Sequence, residues 1–106
     1  MPVYNKLVRD RIPEIIENTR KKFTTERLND TRYIEELKKK SFEELEEYCE
    51  AESRVDALEE MADLLEIMHA LAKYHGSSME EIEKIRVQKA KERGGFRDKV
   101  YLIEVE

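Results

Sequence analysis

The sequence predicts an all-α fold, and three observations support that class. Charged residues make up 42% of the 106 residues and hydrophobic residues 40%, a combination that favours amphipathic helices over disorder. The chain contains only two prolines and three glycines, so few positions interrupt a helix. Apolar residues recur at helical spacing along its later segments. At this length we expect a single domain, residues 1–106, with one modest core.

Four helices are predicted in order along the chain, each with a recognisable start or stop. Pro13 suits the first turn of a helix because its missing N–H has no helical partner there. Asn29 or Asp30 can cap the second helix, and Ser53 can cap the third. Gly76 ends the third helix. The predicted ranges are Pro13–Thr19, about Thr31–Ala51, Ser53 to Gly76, and about Met79–Arg93.

The third helix has the widest apolar stripe of the chain, so we expect it to be the most buried element. Its apolar residues are Leu58, Met61, Leu64, Leu65, Met68, Leu71 and Ala72. The short tail Lys99–Glu106 is β-prone. We expect this tail to pair either with the segment Lys22–Leu28 or with another subunit.

The charge balance and the single cysteine argue against several classes of protein. General binding to nucleic acid or to a membrane surface favours a basic face, whereas this chain has a net charge of −5. No apolar run approaches the roughly 20 residues of a membrane span. Met1–Lys6 lacks the apolar core of a secretory signal, and Cys49 has no second cysteine to pair with. We therefore expect a cytoplasmic protein that binds neither nucleic acid nor membrane.

Acidic and basic residues are segregated along the chain. Between Ser41 and Glu66 there are eleven acidic residues and one basic residue, Arg54. Basic residues gather near the two ends, at Lys6, Arg9, Arg11, Lys89, Lys91, Arg93, Arg97 and Lys99. Chance could produce this pattern, but a bound metal–polyphosphate would also require it. Carboxylates hold a hard cation, while Lys and Arg neutralise phosphate oxygens.

Four of the central acids form two pairs at helical spacing. Glu44 and Glu47 are three residues apart in the second helix, so they share a face with Cβ atoms about 5–6 Å apart. Glu60 and Asp63 have the same spacing in the third helix. If the two helices pack antiparallel, the pairs face each other and offer four oxygen donors, a set that suits Mg²⁺.

The competing interpretation is an ordinary solvated face. Glutamate-rich helices are commonly just solvated, and spacing alone favours that interpretation. Asp63 argues against a purely solvated face, because it lies among apolar residues of the third helix, where an unpaired carboxylate is costly. A metal ion would provide a partner for Asp63, and so would an arginine or lysine side chain.

At these residues the chain resembles a known superfamily. Three motifs carry the resemblance: Glu43-Glu44-x-x-Glu47 followed after twelve residues by Glu60-x-x-Asp63, the opening Tyr4-Asn-Lys-Leu-Val-Arg-Asp-Arg-Ile-Pro-Glu-Ile-Ile16, and the closing Glu92-Arg-Gly-Gly-Phe96. The acidic pattern resembles the all-α nucleoside triphosphate pyrophosphohydrolases, which include MazG-like proteins and dimeric dUTPases. The two end motifs resemble the phosphoribosyl-ATP pyrophosphohydrolase-like branch, and together the motifs cover nearly the whole chain.

The resemblance implies a four-helix-type bundle that forms a homodimer or homotetramer and completes its active site by doing so. It also implies cleavage of a nucleoside triphosphate, or of a phosphoribosyl-ATP-like nucleotide, to a monophosphate and pyrophosphate. Mg²⁺ would be the cofactor, with Mn²⁺ as an alternative. The implied metal ligands are Glu44, Glu47, Glu60 and Asp63. The implied substrate-binding residues are Lys6, Arg9, Arg11, Lys89 and Arg93.

Water is the expected nucleophile because the chain offers no convincing covalent one. Glu44 or Glu47 would orient or deprotonate that water, and the sequence leaves open which of them does. A catalytically idle helical dimerisation or regulatory module is the alternative function. A protein-binding adaptor that uses exposed acids such as Glu46 is a third. The base and sugar of the substrate are left open as well.

Overall fold

The computed structural model describes residues 2–106 and confirms the all-α class; the first residue of the predicted domain lies outside this range. Four helices follow one another, and the described residues include no strand. Their bounds are α1 Ile12–Glu17, α2 Asp30–Glu50, α3 Arg54–Tyr74 and α4 Met79–Arg93. The predicted bounds agree to within two residues at each end, with α4 matching at both. Within the described range, no helix combines the length and the apolar character that a bilayer crossing demands.

The three long helices begin in the same way. The side chains of Asn29, Ser53 and Ser78 each accept a hydrogen bond from the backbone N–H three residues later. These bonds satisfy N–H groups that have no partner inside the helix. Gly76 and Gly94 follow the ends of α3 and α4 with φ of +70° and +82°, a conformation that glycine adopts without the strain of a side chain.

The centre of the molecule is the antiparallel hairpin of α2 and α3. Leu37 on α2 is 4% exposed and Ile67 on α3 is 6% exposed, and both lie where the helices meet. Leu37 and Glu44 are seven residues apart, as are Glu60 and Ile67, so each pair lies on the same side of its helix. We call this line of contact the α2–α3 seam. Its residues are Leu37, Lys40, Glu44, Glu47, Glu60, Asp63 and Ile67.

The segment before α1 lies across this hairpin. The Lys6 ammonium is 4.0 Å from a carboxylate oxygen of Glu43 on α2. The Arg9 guanidinium donates a hydrogen bond of 2.6 Å to Asp63 on α3. Because the segment contacts both helices, it places basic side chains beside the acidic part of the seam.

The prediction that α3 is the most buried element is wrong. α2 and α3 each contribute two buried residues, which on α3 are Ile67 and Ala72. A second apolar stripe on α3 faces outward, and its residues are 44–51% exposed. The stripe consists of Leu58, Met61, Leu65 and Met68. The apolar residues of α3 therefore form two faces, and the seam covers only one of them.

Within residues 2–106 the tail does not pair with the segment Lys22–Leu28, whereas its pairing with another subunit stays a prediction. The tail Lys99–Glu106 forms no strand, and neither does the segment Lys22–Leu28. Every residue of the tail is exposed. A β-prone sequence needs a partner strand to form a ladder, and the described part of the chain offers none.

The seam should dominate the stability of the chain. Ile67→Ala should lower the free energy of unfolding by about 2–4 kcal/mol, because it leaves a cavity between α2 and α3. Chemical denaturation monitored by circular dichroism measures the change. Ile85→Ala, the same deletion at a half-exposed position of α4, is the matched control and should cost much less. Equal losses at both positions would contradict this description of the core.

Candidate active site

Three carboxylates meet at one end of the α2–α3 seam. One oxygen from each of Glu44, Glu47 and Glu60 lies within 4.8 Å of the others. Glu44 is buried, Glu60 is intermediate and Glu47 is exposed, so the group runs from the protein interior to solvent. We call these three residues the carboxylate cluster. Its i, i+3 pair on α2 and the facing Glu60 on α3 are three of the four acids that the sequence spacing predicted to face one another.

Two oxygens of the cluster are buried without a hydrogen-bond partner among the described residues. They are Oε2 of Glu44 and Oε2 of Glu60. Buried polar atoms in proteins are nearly always paired, because an unpaired one loses its hydration without compensation. Carboxylate oxygens that converge and lack donors are the ligand type that a hard divalent cation prefers. The residues present therefore fit a cation.

The mutual approach of these carboxylates alters their protonation. Burial is the largest of the causes that together raise the pKa of Glu44 from 4.5 to about 7, and the neighbouring carboxylates of Glu60 and Glu47 contribute the rest of that rise with Asp63. The close approach of Glu44 lowers the pKa of Glu60, but desolvation and the neighbouring Glu47 outweigh that effect, so the pKa of Glu60 is raised overall. In the absence of a cation, protons relieve the repulsion within the cluster.

Lys40 is a site residue that the sequence analysis missed. Its ammonium lies 3.9 Å from Oε1 of Glu44, and both side chains are largely shielded from solvent. The i, i+4 spacing of Lys40 and Glu44 on α2 was a readable signal for this pair. One ammonium beside three carboxylates leaves the cluster with excess negative charge, which a divalent cation would balance.

Asp63 lies beside the cluster but is not one of the three converging carboxylates. Its carboxylate accepts the 2.6 Å hydrogen bond from Arg9, and its side chain is 39% exposed. Of the two partners that the sequence allowed for Asp63, the structure contains the arginine. A short bond between two charged groups therefore joins Asp63 to the opening segment.

The five basic residues predicted to bind substrate lie in three places. Lys6 and Arg9 are at the edge of the cluster, where they contact Glu43 and Asp63. Arg11 instead pairs with Glu14 of α1 at 3.3 Å. Lys89 and Arg93 are exposed on α4, which packs against α3 and forms no described contact with the cluster. The structure thus brings two of the five beside the acids.

One concavity borders the cluster, and a second lies beside Lys40. An open acidic cleft of about 320 Å³ has walls that include Glu47 and Glu60. Its other lining residues are Glu50, Ala51, Glu52 and Asp56. A smaller pocket of about 40 Å³ is lined by three lysines, Lys6, Lys39 and Lys40, and also by the acids Glu36 and Glu43. No cluster residue lines this pocket, which meets the cluster through Lys40, the partner of Glu44.

Comparison with known families identifies the group to which these residues belong. The sequence model of phosphoribosyl-ATP pyrophosphohydrolase matches residues 4–91. The chain belongs to the phosphoribosyl-ATP pyrophosphohydrolase family. The match includes the opening motif and both acidic pairs, so the resemblance noted in the sequence is confirmed. Comparison with curated proteins gives no match, and neither does comparison with solved structures.

Membership of the phosphoribosyl-ATP pyrophosphohydrolase family indicates the type of chemistry. It supports a hydrolase with a nucleotide pyrophosphohydrolase type of activity. The carboxylate cluster is the chemically distinctive feature of the matched region, since its unpaired buried oxygens would otherwise only destabilise the fold. In this family member the cluster is therefore the candidate active site.

The raised pKa of Glu44 gives a testable pH dependence. A carboxyl group whose pKa rises from 4.5 to about 7 on folding binds more protons in the folded state, so stability falls as pH increases through that interval. The melting temperature of the metal-free protein should drop by on the order of 5 °C between pH 5 and pH 8. Differential scanning calorimetry in the presence of EDTA measures this change in melting temperature.

Two variants control this pH experiment. Glu44→Gln should flatten the pH dependence because it removes the titrating group. Glu46→Gln, which changes an exposed acid two residues away, should leave the dependence as it is in the wild type. A melting temperature that rises from pH 5 to pH 8 would contradict the assigned protonation.

Proposed function

We propose that this protein is a Mg²⁺-dependent nucleotide pyrophosphohydrolase. It cleaves a nucleoside triphosphate, or a phosphoribosyl-ATP-like nucleotide, to a monophosphate and pyrophosphate. The observation that carries the proposal is the carboxylate cluster, whose buried oxygens on Glu44 and Glu60 have no hydrogen-bond donor within residues 2–106. Family membership supplies the type of reaction.

The proposed metal ligands are the three cluster residues Glu44, Glu47 and Glu60, joined by the adjacent Asp63. All are hard oxygen donors, which Mg²⁺ prefers and Mn²⁺ also accepts. When bound, such a cation activates water as a Lewis acid and neutralises charge on phosphate oxygens. The excess of carboxylates over ammonium groups at the cluster supports a divalent rather than a monovalent ion.

The carboxylates of Glu47 and Glu44 are the proposed catalytic groups. Glu47 is exposed and lines the open acidic cleft, so water reaches its carboxylate directly. In the reaction, water forms a new P–O bond to the phosphate chain while the α–β anhydride bond breaks and pyrophosphate leaves. The proton released by the water passes to the carboxylate. Buried Glu44, held by Lys40, anchors the other side of the cluster.

Basic side chains of the opening segment are proposed to bind the phosphates. Lys6 and Arg9 lie beside the cluster, and their present partners are the carboxylates of Glu43 and Asp63. A bound phosphate chain offers these cations a more highly charged partner. For Arg11, Lys89 and Arg93, a role in substrate binding remains a prediction from the family resemblance.

The acidic cleft also favours one form of the substrate. A free triphosphate carries several negative charges and would be repelled by Glu50, Glu52 and Asp56 at the cleft wall. A nucleotide complexed with a divalent cation carries less net negative charge and meets less repulsion. We therefore propose the metal–nucleotide complex as the species that binds.

A homodimer or homotetramer is proposed as the functional assembly, in a cytoplasmic setting. The outward stripe of α3 is half-exposed in the single chain, and covering apolar surface of this kind favours association.

Product analysis on a panel of nucleotides tests the proposed reaction. Each nucleoside triphosphate, and phosphoribosyl-ATP, is incubated with Mg²⁺ or with EDTA, and monophosphate, pyrophosphate and orthophosphate are quantified. Equal amounts of monophosphate and pyrophosphate are expected, with Mg²⁺ only. Glu60→Gln should lower the rate roughly 100-fold or more, because it removes one cluster carboxylate.

Glu46→Gln is the matched control for that experiment and should retain wild-type activity. Release of orthophosphate alone would contradict the proposed bond cleavage. If no nucleotide is cleaved and neither Mg²⁺ nor nucleotide raises the melting temperature, the idle dimerisation module takes the place of the enzyme. A basic protein partner whose binding depends on Glu46 more than on Glu60 would instead favour the adaptor.

Arg9 provides a separate test of phosphate binding. Arg9→Gln should raise the KM for the cleaved nucleotide roughly 10-fold or more, since it removes one charge-assisted contact. Steady-state kinetics at saturating Mg²⁺ measure the effect. Arg20→Gln, at an exposed position after α1, is the control and should leave KM unchanged. An unaltered KM in the Arg9 variant would remove this residue from the substrate site.

A further inference from the structure

Few polar contacts hold the opening segment, residues 2–11, on the α2–α3 hairpin. Its described ion pairs with the hairpin are Lys6 with Glu43 at 4.0 Å and Arg9 with Asp63 at 2.6 Å. Only the second pair is close enough for a hydrogen bond. Between residues 2–11 and the hairpin, no backbone hydrogen bond is described. The Arg9–Asp63 bond is therefore the main polar tether of this segment.

Both partners of the tether have a further role in the proposed function. Asp63 is the fourth proposed metal ligand, and Arg9 is a proposed phosphate ligand. In the structure these two groups satisfy each other instead, since the Arg9 guanidinium donates to Oδ1 of Asp63. The pair therefore occupies a carboxylate that a cation would use and a guanidinium that a phosphate would use.

Asp63 stays outside the converging carboxylates while it is paired. Glu60 precedes it by three residues on α3, so their Cβ atoms are about 5–6 Å apart. Yet the described oxygens that lie within 4.8 Å of one another come from Glu44, Glu47 and Glu60. To bind a cation held by these three residues, the Asp63 carboxylate has to move toward them. That movement costs it the bond with Arg9.

The pair is exposed enough to be exchanged. The side chain of Arg9 is 56% exposed and that of Asp63 is 39% exposed. Ion pairs with this much access to water contribute little to stability, because water competes for both charges. A divalent cation carries twice the charge of a guanidinium, and a phosphate chain carries more negative charge than one carboxylate. Each group would therefore gain a more highly charged partner.

We propose that Arg9 and Asp63 exchange partners when a metal–nucleotide complex binds. The cation takes the Asp63 carboxylate from Arg9, and the released guanidinium binds a phosphate of the same complex. The inference rests on the proposed function and explains how the site favours the complex. A free cation or a free nucleotide replaces only one of the two partners, whereas the complex replaces both.

The exchange predicts opposite effects of one substitution on the two ligands. Arg9→Gln frees Asp63 and should therefore tighten the binding of a cation, although it weakens the binding of nucleotide. If Arg9 instead supported Asp63 as a metal ligand, its removal would weaken cation binding. The sign of the change in cation affinity distinguishes a competing arginine from a supporting one.

Titration of the whole chain with Mn²⁺ alone, followed by isothermal calorimetry, measures that sign. Arg9→Gln should bind Mn²⁺ roughly 5-fold more tightly than the wild type, the effect expected of one partly exposed ion pair. Lys6→Gln is the matched control, because it removes the same charge from the same segment and its partner Glu43 is not a proposed ligand. It should change the affinity by less than about 2-fold.

A double substitution tests whether the effect passes through Asp63. In an Asp63→Asn background, Arg9→Gln should leave the Mn²⁺ affinity unchanged, because the contested carboxylate is gone. Circular dichroism confirms that each variant is helical. In addition, NMR of the isotope-labelled wild type follows the guanidinium resonance of Arg9, assigned by its loss in Arg9→Gln. On addition of Mg²⁺ this resonance should move toward its position in Asp63→Asn.

The outcomes separate a failed exchange from a failed metal site. If the wild type binds Mn²⁺ and Arg9→Gln binds it equally or more weakly, the exchange is overturned and the metal site is not. An Arg9 resonance that stays in place while Mg²⁺ saturates the protein would also overturn the exchange. If neither the wild type nor Arg9→Gln binds Mn²⁺, the proposed metal site fails and the exchange fails with it.

Discussion

The structure depends on the placement of carboxylates inside the seam between α2 and α3. Glu44 and Glu60 occupy positions seven residues from Leu37 and Ile67, where a helical hairpin would ordinarily bury another apolar layer. Burial costs each carboxylate its hydration, and the three that converge repel one another. The fold tolerates this because Lys40 lies beside Glu44 and Arg9 holds Asp63. The apolar part of the seam positions the acids, and the acids lower the stability of the seam, as expected where function competes with packing.

Because the chain is small, the stability that the buried carboxylates cost is a large part of what its core can supply. Among the described residues, the buried apolar side chains are Leu37, Ile67 and Ala72, a small core for a chain of 106 residues. Apolar surface that a larger domain would bury remains on the outer side of α3 and along the tail Lys99–Glu106. The same sequence therefore combines an active-site candidate that costs stability with surfaces whose burial between copies would restore it. Cation binding and association would both contribute, in separate parts of the molecule.

Local chemistry made much of this structure readable from the sequence. Capping residues and glycines located the helix ends, and the i, i+3 acidic pairs placed Glu44, Glu47 and Glu60 near one another. The remainder depends on packing between distant segments. The pairing of Arg9 with Asp63 joins residues 54 positions apart, which no local pattern specifies. Likewise, periodicity marked α3 as apolar but could not divide its residues between the seam and the outer stripe. Helical spacing alone does not single out Ile67 as a seam residue, whereas the i, i+4 spacing of Lys40 and Glu44 is a local signal for that pair.

The most direct measurement is the anomalous diffraction of crystals soaked in Mn²⁺. Manganese reports the position of a divalent ion independently of any assumption about the substrate or the rate of reaction. The account predicts one strong peak within roughly 2.5 Å of carboxylate oxygens from Glu44, Glu47 and Glu60, at the oxygens that lack donors. A cluster that stays free of manganese at saturating concentration, with its oxygens paired to protons or to lysine instead, would contradict it.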